Sequence, residues 1–402
     1  MKLGIHFFRY YMCTMFILLS MTSCHWFNQD DEQLYDRTVL VYIAAENTIA
    51  WYAQDDINEM LLAVDDIPAN SRLIVYVDDT KLPRILSIER SKDCESDYRT
   101  LLQHSTEQDS GDPETLHETM EWVIENFPSH SYGLVLWSHG DAWLPAKSPL
   151  QRSIGIDNNQ NTSSSDTGSK MDIADVAEVL STFPKLDFML FDAVFMQSIE
   201  VAYELRHVTK AIIASPAEIP GPGAPYHRIV KPMFASPFDA SKIAEGYYQE
   251  YSDENRKGEA KHHGVLISTI ECEHLDEFAA TTAEMITRYT PKANSLALGD
   301  IAHYCYKPSE SRPSYYDMNG YMRCLITEEA DYNHWKSALD KTVVYAAATP
   351  WWYSIYSGKE YVDSKTYSGL SCYVPQPTNT KLNTKFRITS WYQAAGWKQV
   401  GW

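Results

Sequence analysis

His139 and Val194 each follow a short apolar segment, and only one of the two side chains can exchange a proton. His139 comes shortly after residues 133–137, and Val194 comes shortly after residues 188–191. Histidine titrates near neutral pH, so His139 is a candidate general base, with a structural histidine as the alternative. Valine offers neither an ionisable proton nor a lone pair. Asp192, which directly follows the second segment, could cap the next helix.

Alternating strands and helices are predicted around these residues. Near-continuous apolar runs indicate strands buried on both faces, and apolar residues at helical spacing indicate helices. The predicted strands are 38–45, 72–78, 84–89, 133–137, 188–191 and 211–214, and the predicted helices are 55–64, 113–126, 171–180, 275–289 and 331–348. This alternation implies a mostly parallel sheet with helices on both faces, and ligand sites lie beyond the carboxyl ends of such strands. We therefore expect His139 and Val194 at one edge of the sheet.

Two further segments bear on the organisation of the chain. Residues 148–169 are polar at their centre and lack apolar periodicity, which predicts a long exposed loop. After residue 275 the pattern changes to long helical segments with strand-like residues at 369–374, which predicts a mainly helical C-terminal subdomain. The predicted units are a domain of residues 37–275 and a subdomain of residues 276–402.

An ordered set of short motifs resembles the clostripain family of cysteine peptidases, which has a caspase-like fold. The motifs are Trp137-Ser138-His139-Gly140, Phe191-Asp192-Ala193 with Met196 and Ser198, residues 200–205, residues 214–218, Gly223, Tyr226, Tyr316-Asp317 and residues 369–375. His-Gly alone would be weak evidence, whereas the ordered set covers nearly the whole chain after the leader. The resemblance implies an α/β fold, a three-layer α/β/α sandwich around a mostly parallel sheet.

The resemblance also implies a role for each residue of the site. His139 matches the general base, and the backbone N–H groups of Gly140 and Val194 match the oxyanion-hole donors. Asp192 matches a carboxylate of the pocket for a basic side chain, and Glu218 matches a second pocket acid. Val194 stands at the position of the nucleophilic cysteine.

Valine at the nucleophile position predicts a peptidase scaffold that binds extended, basic peptides or a partner protein without cutting. An isopropyl group cannot form a thioester, although its volume is close to that of cysteine and should disturb the fold little. Ser138 and Ser198 are poorly placed as substitutes, the latter because we predict it inside the following helix. Two alternatives stay open. One is an active cysteine-type endopeptidase cleaving after Arg or Lys, in which Val194 is a substitution of the nucleophile or an unusual nucleophile acts in its place. The other is a structural envelope lipoprotein.

The same resemblance predicts that the chain remains uncleaved. Family members of this type often mature by self-cleavage at a basic residue between the histidine strand and the cysteine strand. This region of the chain contains Lys147, Arg152 and Lys170. Because Val194 offers no nucleophile, we predict no self-processing.

The N-terminal residues predict export and lipid attachment. A basic start precedes an apolar stretch at residues 10–19, which is shorter than the ~20 residues of a membrane span. Cys24 follows small residues and resembles the lipidated cysteine of bacterial lipoproteins. We therefore predict a signal peptide over residues 1–23 and a tether over residues 24–36. The expected location is the cell envelope, facing the periplasm or the outside, with the membrane bound through lipidated Cys24.

Composition argues against several other classes of function. The formal net charge of −20 disfavours nucleic-acid binding, which needs clustered Lys and Arg. The cysteines after Cys24 lack the spacing of a zinc site or a disulfide framework. His262, His263 and His303 also lack ligand spacing, so we expect neither a metal nor a cofactor.

Overall fold

The strands and helices follow one another in the alternation expected for an α/β protein. The computed structural model describes residues 34–89, 98–144, 154–159, 168–253, 264–290, 298–304 and 314–402. The strands in these ranges are β1 (Arg37–Ala44), β2 (Ser71–Asp78), β3 (Arg84–Ile88), β4 (Tyr98–Gln103), β5 (Tyr132–Trp137), β6 (Ile154–Asp157), β7 (Ser169–Met171), β8 (Phe188–Asp192), β9 (Ala211–Ala214), β10 (Leu266–Glu271), β11 (Tyr316–Asp317), β12 (Val343–Ala348), β13 (Trp351–Ser354), β14 (Gly358–Tyr361) and β15 (Ser371–Cys372). The helices are α1 (Tyr52–Leu62), α2 (Pro113–Asn126), α3 (Ile173–Leu180), α4 (Ile199–Leu205), α5 (Tyr226–Met233), α6 (Ser241–Ser252), α7 (Leu275–Tyr289), α8 (Met318–Leu325), α9 (Glu329–Thr342), α10 (Thr380–Phe386) and α11 (Ser390–Ala394).

The main sheet has the strand order β12-β10-β9-β8-β5-β1-β2-β3-β4. Its five central strands, β9-β8-β5-β1-β2, run parallel to one another. Antiparallel strands extend both sides, with β10 and β12 on one side and β3 and β4 on the other. The parallel centre brings the carboxyl ends of β1, β5 and β8 to a single edge, where the candidate site lies.

Each face of the sheet contributes to its own hydrophobic core. Leu40 and Tyr42 of β1 belong to one core, and Val39 and Val41 belong to the other, because successive strand residues point to opposite faces. Helices α2, α3, α4, α7 and α9 contribute to the first core, and α1, α5 and α6 contribute to the second. The predicted three-layer α/β/α sandwich is therefore present.

The apolar runs located the central strands well. All six predicted strands are present as β1, β2, β3, β5, β8 and β9, with ends within one residue of the prediction. Strands β4 and β10 were not predicted. β4 is a half-exposed edge strand without an apolar run, and Ser268 and Thr269 interrupt the apolar pattern of β10 although both are buried.

Cap chemistry correctly located the start of α2. The Asp112 side chain accepts a hydrogen bond of 3.0 Å from the Glu114 backbone N–H, and Pro113 opens the helix. The helix predicted over 275–289 is confirmed as α7, and the helices predicted over 55–64 and 171–180 begin or end two to three residues away from α1 and α3.

The helix predicted over residues 331–348 is wrong in its last third. Helix α9 ends at Thr342, and Val343–Ala348 form β12, which pairs antiparallel with β10 at the edge of the main sheet. The segment opens with two valines and a tyrosine, and it alternates between less and more exposed residues. β-branched and aromatic residues suit a half-exposed edge strand, and pairing with β10 outweighed helical continuity. In the described residues from 275 onward, helices α7 to α11 occur together with the strands β11 to β15.

The loop predicted over residues 148–169 is only partly correct. Residues 154–159 and 168–169 are described, and Ile154–Asp157 form the buried strand β6, paired with β7. Ile154 and Ile156 are fully buried, and Gly155 has a left-handed φ of 74°. Three consecutive residues of this strand are apolar or glycine, but the polar residues that follow made the whole segment resemble a loop.

Candidate active site

A cavity of about 500 Å³ opens beyond the carboxyl ends of β5 and β8. His139, Asp192, Val194 and Glu218 all line it. The structure thus brings together four residues that the sequence placed in one site. Since β5 and β8 are adjacent parallel strands, their carboxyl ends must lie side by side.

His139 is half-buried and is held by a residue from a third strand end. Its Nε2 lies 2.9 Å from the hydroxyl oxygen of Thr48, which follows β1. Thr48 also lines the cavity, although nothing in the sequence pattern identified it. A hydroxyl at this distance fixes the orientation of the imidazole ring, which a general base requires.

Gly140 and the segment around Val194 lie in close contact. A Cβ atom on Gly140 would come within 2.6 Å of the Val194 carbonyl oxygen and 2.9 Å of the Met196 sulfur. Only glycine allows this approach of two strand ends. The backbone of the predicted oxyanion glycine therefore lies directly against the predicted nucleophile segment.

The segment after Val194 is fixed by its backbone. The Phe195 N–H donates to the Ala217 carbonyl oxygen at 2.9 Å, and the Gln197 N–H donates to the Ser215 carbonyl oxygen at 3.0 Å. Phe195 itself is fully buried with a left-handed φ of 65°. Such a conformation is costly for a bulky residue and is most often found where function dictates the backbone.

Helix α4 begins later than the sequence suggested, and this corrects two expectations. Ser198 is the N-cap of α4, and its hydroxyl accepts a hydrogen bond from the Val201 N–H at 3.3 Å, so it does not lie inside the helix. Asp192 does not cap α4, because six residues separate the carboxylate from the first helical residue. The alternative of a simple capping role for Asp192 is therefore excluded.

Asp192 is a buried carboxylate with its own donors. Its Oδ1 accepts from the Ala224 N–H at 2.9 Å, and its Oδ2 accepts from the Tyr226 hydroxyl at 3.2 Å. Burial raises the pKa of Asp192 to about 7, against the opposing effect of these two donors. Gly223, with φ of 64°, passes so close that a Cβ there would lie 2.7 Å from the Asp192 Oδ1.

A second buried acid lies close enough to Asp192 for their charges to interact. Asp56 of α1 is 2% exposed, and its Oδ2 accepts a hydrogen bond of 2.6 Å from the Trp137 indole N–H. Burial first, and then the charge of Asp192, raises the pKa of Asp56 well above its ordinary value. Nothing in the sequence pattern singled out Asp56, which is one acid among several in an amphipathic helix.

Glu218 is the other acid of the cavity. It is 3% exposed, and its Oε2 lies 3.3 Å from the Ile355 backbone N–H. Burial raises the pKa of Glu218 to about 7. Tyr353 and Ile355 also line the cavity, so the β13–β14 hairpin of the C-terminal part forms one of its walls. The sequence of that hairpin contains no motif that predicts a position at the site.

Thiols are absent from the described lining of the cavity. The cysteines of the described ranges are Cys272, Cys324 and Cys372, and none of them lines it. Burial raises the pKa of the Cys272 thiol to about 12 and that of the Cys372 thiol well above its ordinary value, so neither has thiolate character. The Ser138 hydroxyl is buried and donates to the Ala44 carbonyl oxygen at 3.0 Å.

Several predicted features lie outside the described residues. They are Cys24 with the signal peptide, Lys147 and Arg152 of the processing region, and the pair His262 and His263. None of the helices in the described part of the chain combines the length and apolarity needed to cross a bilayer.

Possible metal ligands occur elsewhere. Among the described residues, two groups bring three ligand atoms within 4.8 Å of one another, Glu271-Glu273-His274 and Glu46-Asp78-Glu107. His303 belongs to neither group, and burial lowers its pKa. The described lining of the cavity around His139 contains no member of either group.

Comparison with known proteins connects this site to peptidases. The model of the clostripain family, peptidase C11, matches residues 41–402. Clostripain from Hathewaya histolytica is 27% identical over 217 residues, which cover 48% of this chain and 41% of that protein. The match thus spans less than half the length of this curated relative.

Two solved structures are similar over most of the chain. A secreted C11 cysteine protease from Bacteroides thetaiotaomicron, in complex with an irreversible peptide inhibitor, has a TM-score of 0.78 and 32% identity, covering 90% of this chain and 99% of that one. An inactive zymogen C11 protease from Parabacteroides distasonis has a TM-score of 0.76 and 31% identity, covering 90% and 98%. These similarities confirm the expected caspase-like fold.

Proposed function

Because the chain belongs to the clostripain family of cysteine peptidases, we propose that it is a peptidase homologue whose cleft binds peptides and does not cut them. The observation that carries this proposal is the Val194 side chain, which lines the same cavity as His139. The ligand is an extended peptide with a basic side chain. The position of the chain in the clostripain family makes peptides the expected class of ligand.

The loss of activity follows from the chemistry of valine. Cysteine peptidases need a thiolate to attack the scissile carbonyl, and the histidine acts as its base. Val194 supplies no atom that can form this bond. Without a nucleophile only proximity and oxyanion stabilisation remain, and these give a small part of the rate.

The preference for a basic side chain follows from the acids of the cavity. Asp192 and Glu218 both line it, and Asp56 interacts electrostatically with Asp192. Burial raises the pKa values of Asp192 and Glu218 to about 7, so near neutral pH each is only partly ionised. A guanidinium or ammonium group would favour their charged forms and form short, charge-assisted hydrogen bonds.

A second candidate function, residual peptidase activity, is favoured by one contact. The Thr48 hydroxyl lies 2.9 Å from the His139 Nε2, within reach for proton transfer to a base. Threonine would then replace cysteine as the nucleophile. An alcohol is a weaker nucleophile than a thiolate at neutral pH, so this reading ranks second.

Restoring the thiol is the decisive test of activity. Wild-type protein and the Val194→Cys variant are incubated with reporter peptides ending in Arg or Lys. We expect turnover only in Val194→Cys, and no turnover in Val194→Ala or in Val194→Cys with His139→Ala. The restored enzyme should also cut its own chain near Lys147, Arg152 or Lys170, whereas purified wild type stays intact. Wild-type turnover that Thr48→Val abolishes would favour the second candidate.

Binding is tested separately from cleavage. Calorimetry compares a peptide amide containing Arg with the same peptide containing citrulline, which has similar shape and no charge. We expect the wild type to bind the Arg peptide, and Asp192→Asn to weaken it by ten-fold or more. Absence of binding by wild type would leave a structural envelope lipoprotein as the better description.

We further propose that the mature chain is a lipoprotein of the bacterial cell envelope, attached through Cys24. The basis is the short apolar leader that ends in small residues before Cys24, together with the secreted relative from Bacteroides. Labelled fatty acid should be incorporated into wild type and not into Cys24→Ala. Equal labelling of both proteins would contradict lipid attachment at this residue.

A further inference from the structure

The peptidase cavity is lined by apolar side chains as well as by acids, and the proposed function uses only the acids. Two of the apolar side chains, Trp51 and Ile355, are 65% and 64% exposed. They belong to separate segments, since Trp51 precedes α1 and Ile355 follows β13. Single exposed apolar residues are ordinary on a protein surface, whereas several that line one cavity indicate a binding surface.

Half-buried side chains extend this apolar surface. Ile49, Tyr52 and Ile219 line the cavity and pack against the second hydrophobic core. Tyr353 lines it from β13. A surface that is anchored on a core keeps its shape, so a ligand that binds there pays little to order it. We name six residues the apolar rim: Ile49, Trp51, Tyr52, Ile219, Tyr353 and Ile355.

The exposed indole of Trp51 is held by its neighbours. Its ring stacks on the Tyr52 ring, with centroids 3.6 Å apart. Tyr52 lies against the backbone of Gly221, where a Cβ atom would come within 2.0 Å of the Tyr52 hydroxyl oxygen. Aromatic rings offer a large apolar area with few rotatable bonds. Packing against Trp51 therefore loses little conformational entropy.

The other exposed side chain of the rim is tied to an acid of the cavity. The Ile355 backbone N–H donates to the Glu218 Oε2 at 3.3 Å. Consecutive residues of a peptide have Cα atoms only about 3.8 Å apart. A basic side chain that reaches Glu218 therefore brings the neighbouring residue of its peptide close to Ile355.

The size of the cavity also suits more than one side chain of a ligand. Its volume is about 500 Å³. Pockets of roughly 300–1,000 Å³ hold whole drug-sized molecules, which are larger than a single arginine side chain. The space beside a bound basic side chain can thus take its neighbour in the peptide.

We propose that the ligand is a peptide in which a large apolar or aromatic side chain stands next to the basic one and packs on the apolar rim. This inference rests on the proposed function, because it describes the neighbour of the basic side chain in the same cavity. The acids recognise the charge, and the rim removes the neighbouring side chain from water. A peptide with glycine beside the basic residue keeps only the contact with the acids.

Calorimetry with peptides that differ at one residue tests the proposal. The peptide amides contain one Arg between two Gly residues, and the Gly before or after Arg is changed to Leu or Phe. We expect the change on one side to tighten binding to wild type at least ten-fold, a gain of about 1.4 kcal/mol. Because apolar burial causes the gain, it should persist at high salt and make the heat-capacity change of binding more negative.

Variants of the rim are compared with a matched surface variant. Trp51→Ser and Ile355→Ser should each reduce the gain to about three-fold or less, and Trp51→Phe should keep most of it. Leu62 is 78% exposed at the end of α1 and does not belong to the described lining of the cavity. Leu62→Ser should therefore keep the full gain. All of these side chains are exposed, so we expect each variant to fold, which thermal unfolding checks.

The outcomes separate this inference from the proposed function. Equal affinity for the Gly, Leu and Phe peptides would overturn the apolar rim, while a preference for Arg over citrulline would still support the proposed function. A gain from Leu or Phe without a preference for Arg would support the rim and contradict the basic side chain. Sedimentation tests a second copy of the chain as the occupant. Wild type that self-associates, and becomes monomeric in Trp51→Ser, would overturn a peptide as the occupant of the rim.

Discussion

The two walls of the peptidase cavity are held by different kinds of interaction. The nucleophile wall, residues 193–198, is fixed by backbone hydrogen bonds to the Ala217 and Ser215 carbonyl oxygens. The base wall consists of His139 and Thr48. It depends on a side-chain hydrogen bond between the His139 Nε2 and the Thr48 hydroxyl. Backbone bonds do not depend on which side chain stands at residue 194. A valine can therefore replace a cysteine while the shape of the wall is kept.

The backbone geometry of a peptidase site can therefore be kept without a side chain that can act as the nucleophile. The left-handed Phe195, the close contact of Gly140 and the capped start of α4 are all present around a residue that cannot react. A preserved nucleophile wall is thus no evidence of activity. Under the proposed function, activity depends on one atom at residue 194, and the backbone geometry around that residue reports only the fold.

The largest expected loss of stability comes from Phe195 on the nucleophile wall. Phe195 is fully buried, and its ring stacks on Tyr315 with centroids 4.8 Å apart. Phe195→Ala should lower the free energy of unfolding by roughly 3–5 kcal/mol, measured by urea denaturation. Phe195→Gly should be about 1 kcal/mol less damaging, because glycine tolerates the left-handed φ. A glycine variant less stable than the alanine variant would contradict backbone strain here.

Gly140 tests how closely the two walls approach. Gly140→Ala places a Cβ 2.6 Å from the Val194 carbonyl oxygen, so the walls must separate at a cost of about 1–3 kcal/mol. A Cβ on Gly299 meets nothing within 4 Å, so Gly299→Ala is the matched control and should change stability by less than about 0.5 kcal/mol. Equal stabilities of the two variants would mean that the walls are not in contact in solution.

Asp192 makes the nucleophile wall sensitive to pH. Its pKa of about 7 lies above its unfolded value, so the folded state holds the extra proton between about pH 4 and 7. The free energy of unfolding therefore falls as pH rises through this window, by up to about 1.4 kcal/mol per unit. Asp192→Asn should flatten the slope, measured by urea denaturation at several pH values. Affinity for the Arg peptide should rise about ten-fold from pH 6 to 8 as the carboxylate ionises.

Glu200 is the control for this pH effect. Glu200 is 2% exposed and does not belong to the described lining of the cavity. Its Oε1 accepts a hydrogen bond from the Tyr373 N–H at 2.8 Å, and burial raises its pKa to about 7. Glu200→Gln should flatten the stability slope as Asp192→Asn does, while peptide affinity keeps its pH dependence. Loss of that dependence in Glu200→Gln would argue against Asp192 as the ligand-binding acid.

The smallest effect on stability is expected at the base wall. Thr48→Val removes one half-buried hydroxyl and should cost about 1 kcal/mol or less. In the Val194→Cys background the same change should lower kcat about ten-fold, since His139 loses the contact that orients it. Unchanged kcat would show that the backbone alone positions the histidine and would remove the contrast between the walls.

Local sequence patterns predicted much of the fold and named four of the residues that line the cavity. Continuous apolar runs revealed the parallel strands, and Asp112 with Pro113 marked the start of α2. The motifs around His139 and Val194 located the cavity because neighbouring parallel strands end at one edge. Residues 343–348 were assigned wrongly, since pairing with β10 outweighed helical continuity. The hairpin with Tyr353 and Ile355 was not predicted to line the cavity. Its position there depends on packing against residues more than a hundred positions earlier in the chain.

The sequence by itself determined which atoms are available. A valine stands where the family resemblance calls for a thiol, a histidine follows β5, and acids are present near both. Only the tertiary structure decided how those acids behave. Asp192 accepts hydrogen bonds from two donors far along the chain, whereas burial and neighbouring acids raise the pKa of Asp78 to about 10. Burial and partners set the protonation and ligand of a carboxylate, and neither is encoded in the residues beside it.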